Sequence, residues 1–344
     1  GDPSDWIELV NRSSDAVDLT NWSLTDDPTR PDKWTFPPVS LHSGDYLLVF
    51  ASGKDRRSSY LDRDEQNHLH TKFRLDSDSG FLALYPPTSR RYLDGSTVMI
   101  PRQEMDVSYG LYRQPDGDET TYGYFLEPTP GQPNPAEPNW YGRTPPIAFS
   151  KSHGFYDDSF LLRLSSELPD AEIRYTLDGS EPSETHGMTY DQPLDVGGTT
   201  VVRAVATAPG YLPGPVVTQS YLFTQDVLAH ADRPDGFPES WGTHRIDFGG
   251  YVSGNPVDAD YAMDPAVLSD PDYGLQMEEA LTALPALSVV LDIDDFDIYS
   301  DPQSRGRESE RAVSVELIDP TENEAGFQID AGLRIQGGAG RWEF

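Results

Sequence analysis

Cysteine is absent from all 344 residues, which removes disulfides, thiolate metal sites and a cysteine nucleophile together. Positive charge is scarce: 25 Lys and Arg face 58 Asp and Glu, a formal charge of −33. The four lysines are Lys33, Lys54, Lys72 and Lys151, so none lies in the second half. A surface this acidic repels nucleic acid and anionic membranes, and nucleic-acid partners are excluded on that ground. No apolar run approaches the roughly 18 residues a membrane helix needs, so no membrane insertion is expected. No basic-then-apolar signal segment opens the sequence, which puts any export signal upstream of Gly1. Catalytic signatures are missing too: there is no Gly-x-Ser-x-Gly elbow and no His-Glu-x-x-His helix.

What is present is a series of short β-forming runs. Trp6 to Val10, Val17 to Leu24, Tyr46 to Phe50 and Phe81 to Tyr85 are each bounded by Asn, Asp, Ser, Gly or Pro, the pattern of strands closed by turns. The fold class is therefore mainly β, read as two immunoglobulin-like or fibronectin-like β-sandwiches and a partial β-rich third domain with one short helix. The segments Asp5-Trp6-Ile7-Glu8-Leu9-Val10-Asn11, Asp18-Leu19-Thr20-Asn21-Trp22-Ser23-Leu24, Gly44-Asp45-Tyr46-Leu47-Leu48-Val49-Phe50, His68-Leu69-His70-Thr71-Lys72-Phe73 and Pro128-Thr129-Pro130-Gly131-Gln132-Pro133-Asn134 resemble a lamin-tail domain. That resemblance covers residues 1–134 and implies a binding or scaffolding module, of the kind also found in large secreted bacterial proteins. It also implies one further strand before Asp5, which the sequence does not contain.

Prolines crowd the stretch from Pro128 to Pro146, so residues 135–145 are expected to be a linker. Residues 146–223 form a second sandwich. Here Glu172-Ile173-Arg174-Tyr175-Thr176-Leu177-Asp178-Gly179-Ser180-Glu181-Pro182, then Tyr190, then Thr200-Val201-Val202-Arg203-Ala204-Val205-Ala206 and Gly210-Tyr211 are similar to the fibronectin-like module at the C-terminal end of chitobiases and hexosaminidases. Asp178-Gly179 is a turn dipeptide, and the run around Val202 reads as a strand covered on both faces. Residues 224–284 lose period and end in a short helix: Asp270 caps it, Pro271 opens it, and Leu275, Met277, Ala280, Leu281 and Leu284 give a partial apolar stripe before Pro285. Residues 285–344 return to β. Leu284-Pro285-Ala286-Leu287-Ser288-Val289, Glu310-Arg311-Ala312-Val313-Ser314-Val315-Glu316 and Gly332-Leu333-Arg334-Ile335-Gln336-Gly337-Gly338 resemble the opening of the CotH family of spore-coat kinase-like proteins, here without the part that normally follows.

The kinase chemistry that this last resemblance implies needs a phosphate-binding cation and a separate catalytic loop. No lysine lies in residues 285–344, and Asp247-Phe248-Gly249 follows His244-Arg245 too closely to be a separate metal-binding element, so it reads as a turn at Gly249-Gly250. The glycines Gly337, Gly338 and Gly340 lack phosphate-loop spacing. His68 and His70 have zinc-compatible spacing but read as part of the module's own structure. Calcium is the better ion, because acid-rich loops gather the six to eight oxygens it prefers. Such loops are Asp26-Asp27, Asp62 to Glu65, Asp76 to Asp78 and Asp157-Asp158; the foremost candidate is Asp292, Asp294, Asp295 and Asp297, after an apolar strand. Trp140, Tyr141, Tyr156, Tyr190 and Tyr211 are candidates for stacking on carbohydrate. Taken together, the residues point to a non-catalytic, extracellular or cell-surface scaffold or adhesion region, Ca-stabilised and joined to other copies or other surface proteins by β-strand addition. The alternative is the accessory region of a larger kinase or glycosidase.

Overall fold

Side chains close the turns that the sequence marks, and Asn11 shows how. In this computed structural model, which describes residues 5–57, 68–77, 80–88, 97–113, 120–244, 252–299, 304, 306–320 and 326–335, Asn11 is buried. Its Nδ2 donates to the carbonyls of Asp15 and Leu41, each at 2.8 Å, and its Oδ1 accepts from Ser13 N at 3.0 Å. The chain divides into two units, Gly1–Gly142 and Arg143–Phe344.

The strands of the first unit are β1 (Trp6–Val10), β2 (Val17–Asp18), β3 (Ser23–Thr25), β4 (Trp34–Thr35), β5 (Ser40–Leu41), β6 (Tyr46–Phe50), β7 (Leu69–His70), β8 (Gly80–Tyr85), β9 (Thr97–Ile100), β10 (Ser108–Arg113) and β11 (Thr120–Phe125). One sheet has the order β1-β6-β7, a second β4-β3-β8-β9, and β2 pairs with β5. Ile7, Leu47, Val49 and Leu69 from the first sheet meet Leu24 and Trp34 from the second in a single core. Trp34 is fully buried and edge-on to Phe36, with centroids 4.8 Å apart; its indole N–H donates to Asp55 Oδ1 at 3.0 Å. Burying aromatics of this size dominates the energetics of a small core, and the indole N–H finds the partner that burial demands.

The hairpin β10–β11 does not lead into a free linker. Within the first unit Tyr124 N donates to Trp140 O at 2.8 Å, Asn139 N to Tyr124 O at 2.9 Å, and Asn134 Nδ2 to Leu111 O at 2.9 Å. Gly123 makes room for this: a Cβ there would lie 2.6 Å from Pro138 Cβ. The proline-rich stretch expected as a linker over 135–145 thus begins as an edge segment of the first unit. Proline removes only its own N–H, and Asn139 and Trp140 keep theirs for pairing.

The second unit starts with the short strand β12 (Gly142–Arg143) at the division. It continues with β13 (Ala148–Phe149), β14 (Gly154–Phe155), β15 (Phe160–Leu162), β16 (Leu164–Ser165), β17 (Glu172–Thr176), β18 (Met188–Thr189), β19 (Leu194–Val196), β20 (Thr200–Thr207), β21 (Tyr211–Leu212) and β22 (Val217–Leu222). The main sheet has the order β14-β22-β20-β17-β18, while β15 pairs with β19 and β13 with β16. Leu162, Leu164, Ile173, Val196, Val202, Ala204 and Tyr221 form its core. Val202 to Ala206 are buried without interruption, so β20 is covered on both faces as its pattern predicts. The whole is a mainly β protein of immunoglobulin-like sandwich character.

Beyond β22 come α1 (Thr224–Leu228), the hairpin of β23 (Ser240–Thr243) with β24 (Pro256–Asp258), α2 (Pro265–Leu268) and α3 (Met277–Leu281). A last sheet has the order β25-β26-β27, from Ala286–Val290, Arg311–Ile318 and Phe327–Leu333. The helix expected after Asp270 is broken into a 3-10 turn over Gly274–Gln276 and the single turn of α3, and Leu275 stays 88% exposed. Gly274 opens the 3-10 turn, and close approach demands glycine there, a poor helix former, since a Cβ would lie 2.3 Å from the Leu268 carbonyl oxygen. Asp270 still caps, accepting from Asp272 N and Tyr273 N, and those backbone bonds hold its carboxyl below the usual range. A cap and opening proline not singled out in the sequence, Asp264 and Pro265, start α2, with Ala266 N donating to Asp264 at 2.8 Å.

Candidate functional site

β1 is an edge strand, and its register decides which backbone groups it offers. Ala51 N donates to Asp5 O and Asn11 N to Asp45 O, so Asp5, Ile7, Leu9 and Asn11 face β6 across the antiparallel ladder. Trp6, Glu8 and Val10 consequently aim their N–H and C=O groups away from β6, on a side with no paired strand among the described residues. The Ile7 side chain is in the core while Val10 is 37% exposed. Glu8 is engaged through its side chain, which accepts from Gly131 N at 2.6 Å; burial nevertheless raises its carboxyl above the usual range. The strand is paired along one edge, and along the other no strand pairs with it among the described residues.

The acidic residues expected to collect calcium are not gathered. Asp292 Oδ1 accepts from Asp294 N at 2.9 Å, opening a 3-10 turn over Ile293–Tyr299. Asp295 and Asp297 lie 3.4 and 3.1 Å from Arg311. The guanidinium supplies positive charge between Asp295 and Asp297, and Asp292 is occupied by the N–H of Asp294. Among the described residues no group of three or more His, Asp or Glu side chains is placed to hold a metal. Elsewhere Asp26 pairs with Lys33 at 2.6 Å, and Asp27 accepts from the Thr29 hydroxyl and N–H, which lower its pKa in that order. Asp157 and Asp158 are exposed, and Asp76 closes the acidic stretch of the first unit that is described. Asp62 to Glu65, Asp78, Asp247-Phe248-Gly249 and Gly337 to Gly340 lie outside the described residues.

His68 and His70 both lie against the Phe50 ring, at 5.1 and 5.3 Å, and His70 Nδ1 is 2.8 Å from Ser52 Oγ. Burial first, then Arg56, lowers the His70 pKa. Of the aromatic candidates, Tyr156 and Tyr190 pack against the second core, Trp140 and Tyr211 are half-buried, and Tyr141 is exposed.

Sequence reasoning missed a buried carboxyl group with three donors. Glu316 on β26 is fully buried; it accepts from Ser220 Oγ at 2.5 Å, Ser220 N at 3.2 Å and His153 Nδ1 at 2.8 Å. Because the Ser220 hydroxyl donates to the carboxylate, Ser288 must donate to Ser220, at 2.8 Å. The network fastens the last sheet to β22. The turn at Gly179 does the same, since a Cβ there would lie 2.4 Å from the Leu291 carbonyl oxygen. Nothing marked Glu316 beforehand, because in a Val-Ser-Val-Glu-Leu run a glutamate at an alternate position reads as solvent-facing.

Comparison with known families gives two partial matches. Residues 1–103 match the model of the Lamin Tail Domain family, and residues 162–221 match that of the Fn3-associated family. Both are immunoglobulin-like, non-catalytic module families. Neither match reaches past residue 221, so the CotH resemblance of residues 285–344 gains no support from them. No curated protein matches the chain. Among the described residues no helix is long and apolar enough to cross a membrane.

Proposed function

We propose that this chain is a non-catalytic scaffold or adhesion region of an extracellular or cell-surface protein, and that its first sandwich joins other copies by taking a β-strand onto β1. The observation that carries this reading is the outward row of backbone groups at Trp6, Glu8 and Val10. An edge of this kind is a template for strand addition, in which main-chain hydrogen bonds supply affinity and alternate side chains supply selectivity. The two module families support the non-catalytic part of the reading. The acidic surface is consistent with a protein that must remain soluble until a strand is offered.

Val10→Pro separates strand addition from folding. Proline at 10 deletes an outward N–H and leaves the Ile7 and Leu9 bonds to β6 intact, an arrangement edge strands tolerate. Sedimentation across a concentration series is expected to show reversible association of the parent chain and a monomer for Val10→Pro, with unchanged melting. A parent chain that stays monomeric throughout overturns the proposal.

A further inference from the structure

The last sheet is inside out. Its register places Leu287, Leu317 and Phe327 in one cross-strand row and Val289, Val315 and Ile329 in the next, on the same face. The opposite face carries Ser288, Glu316 and Gln328, then Val290, Ser314 and Asp330. It is this polar face that turns inward to β22, where Glu316 and Ser314 are fully buried. Most of the apolar face meets solvent: Leu287 is 61% exposed, Ile329 50%, Phe327 43% and Val289 40%, with Val315 and Leu317 half-buried between them and Val313 buried beyond the two rows. Two complete apolar rows on an exposed sheet form a contiguous patch, and contiguous patches, unlike scattered apolar residues, mark interaction sites.

Size and charge select the occupant. Strands lie about 4.8 Å apart, so three of them span about 10 Å, the diameter of one α-helix with its side chains. Six side chains in two rows offer a few hundred Å², well short of the roughly 800 Å² per partner that a stable dimer buries. Asp294, Asp295 and Asp297 follow β25 directly, and Asp295 and Asp297 share the one cation Arg311, which lies in register with Leu333 on this same face of β26. The end of the patch is therefore net acidic. We propose that the Leu287–Val289–Val315–Leu317–Phe327–Ile329 face is a docking surface for a cationic amphipathic α-helix of a partner protein. Leucine-type anchors at i, i+3, i+4 and i+7 would lie across the two rows, with lysines or arginines toward the aspartates.

The test uses a labelled Leu/Lys helical peptide of about four turns, a scrambled version that lacks an apolar face, and a version with Glu for every Lys. The protein carries Val10→Pro, so that association through β1 does not interfere. Fluorescence anisotropy is expected to show binding of the Leu/Lys helix, at least about tenfold weaker for the other two peptides and for Ile329→Asp or Leu287→Asp. Met105→Asp, an exposed residue of the first unit, should change nothing. Equal binding of the scrambled peptide, or insensitivity to Ile329→Asp in a protein that melts normally, overturns the proposal. So does a dimer that Ile329→Asp abolishes, since a second copy would then be the occupant.

Discussion

Glu316 is a carboxylate without solvent, and its three donors are what make that tolerable. Removing a buried acceptor leaves its donors to bear their own desolvation cost, about 1–3 kcal/mol for each one stranded. Glu316→Ala removes the acceptor of the His153 ring N–H, the Ser220 N–H and the Ser220 hydroxyl, and is expected to destabilise the second unit by about 3 kcal/mol or more. Glu316→Gln should cost less, about 1–2 kcal/mol, because its carbonyl in the Oε1 place still accepts from Ser220 N and the His153 ring, while the amide in the Oε2 place donates to the Ser220 hydroxyl, which turns to donate to Ser288. Urea midpoints of the two variants measure the difference. Equal losses would mean that shape, and not the donors, is what the site requires. A polar core of this kind is invisible in a single sequence, since its partners at 153, 220 and 288 are brought together only by the fold.

At the scale of elements, the turn from Thr176 to Ser180 shows both what was legible and how it responds to pH. The Asp-Gly dipeptide predicts a turn, and the structure adds the reason it is rigid. Asp178 Oδ1 accepts from Ser180 Oγ at 2.5 Å and Ser180 N at 3.1 Å, and Gly179 takes φ +83°. The Ser180 hydroxyl is the main cause of the lowered Asp178 pKa. A carboxyl depressed in the folded state contributes stability above its unfolded value, near pH 3.8, and loses it as pH falls through the folded value. Asp178→Asn is therefore expected to lower stability at pH 7 by less than about 1 kcal/mol, given the exposure of the carboxyl, and by progressively less as pH falls through the folded value. A loss that does not shrink as the pH falls would trace to the amide's geometry instead of the charge. Strands such as β6 and β20 were equally readable, because their periodicity and burial agree. The helix after Asp270 was not, because a turn of apolar spacing says nothing about whether a neighbouring backbone leaves room for Gly274. Nor could alternation in β25 to β27 say which face would be covered: both registers satisfy the pattern, and Glu316 with Ser220 chose the polar one.

For the whole molecule the excess of acid is the governing fact. Charges of one sign oppose compaction, and screening acts over about 8 Å at physiological ionic strength, so melting temperature should rise with salt. Whether calcium does more depends on ligands that are free to move to it. Asp295 and Asp297 are held by Arg311, Asp26 by Lys33, and Asp292 by the N–H of Asp294. A divalent ion would have to break these contacts before gaining its own, so these carboxylates are expected to give Ca²⁺ no advantage over Mg²⁺ in raising the melting temperature at matched ionic strength. Asp294→Asn and Asp297→Asn should leave that response unchanged. An extra increment with Ca²⁺ alone would reverse the conclusion, and the variants would locate its source. Loss of the increment in Asp294→Asn would return the ion to the turn after β25, whereas loss only in Asp62→Asn with Asp64→Asn would assign it to the acidic run of the first unit.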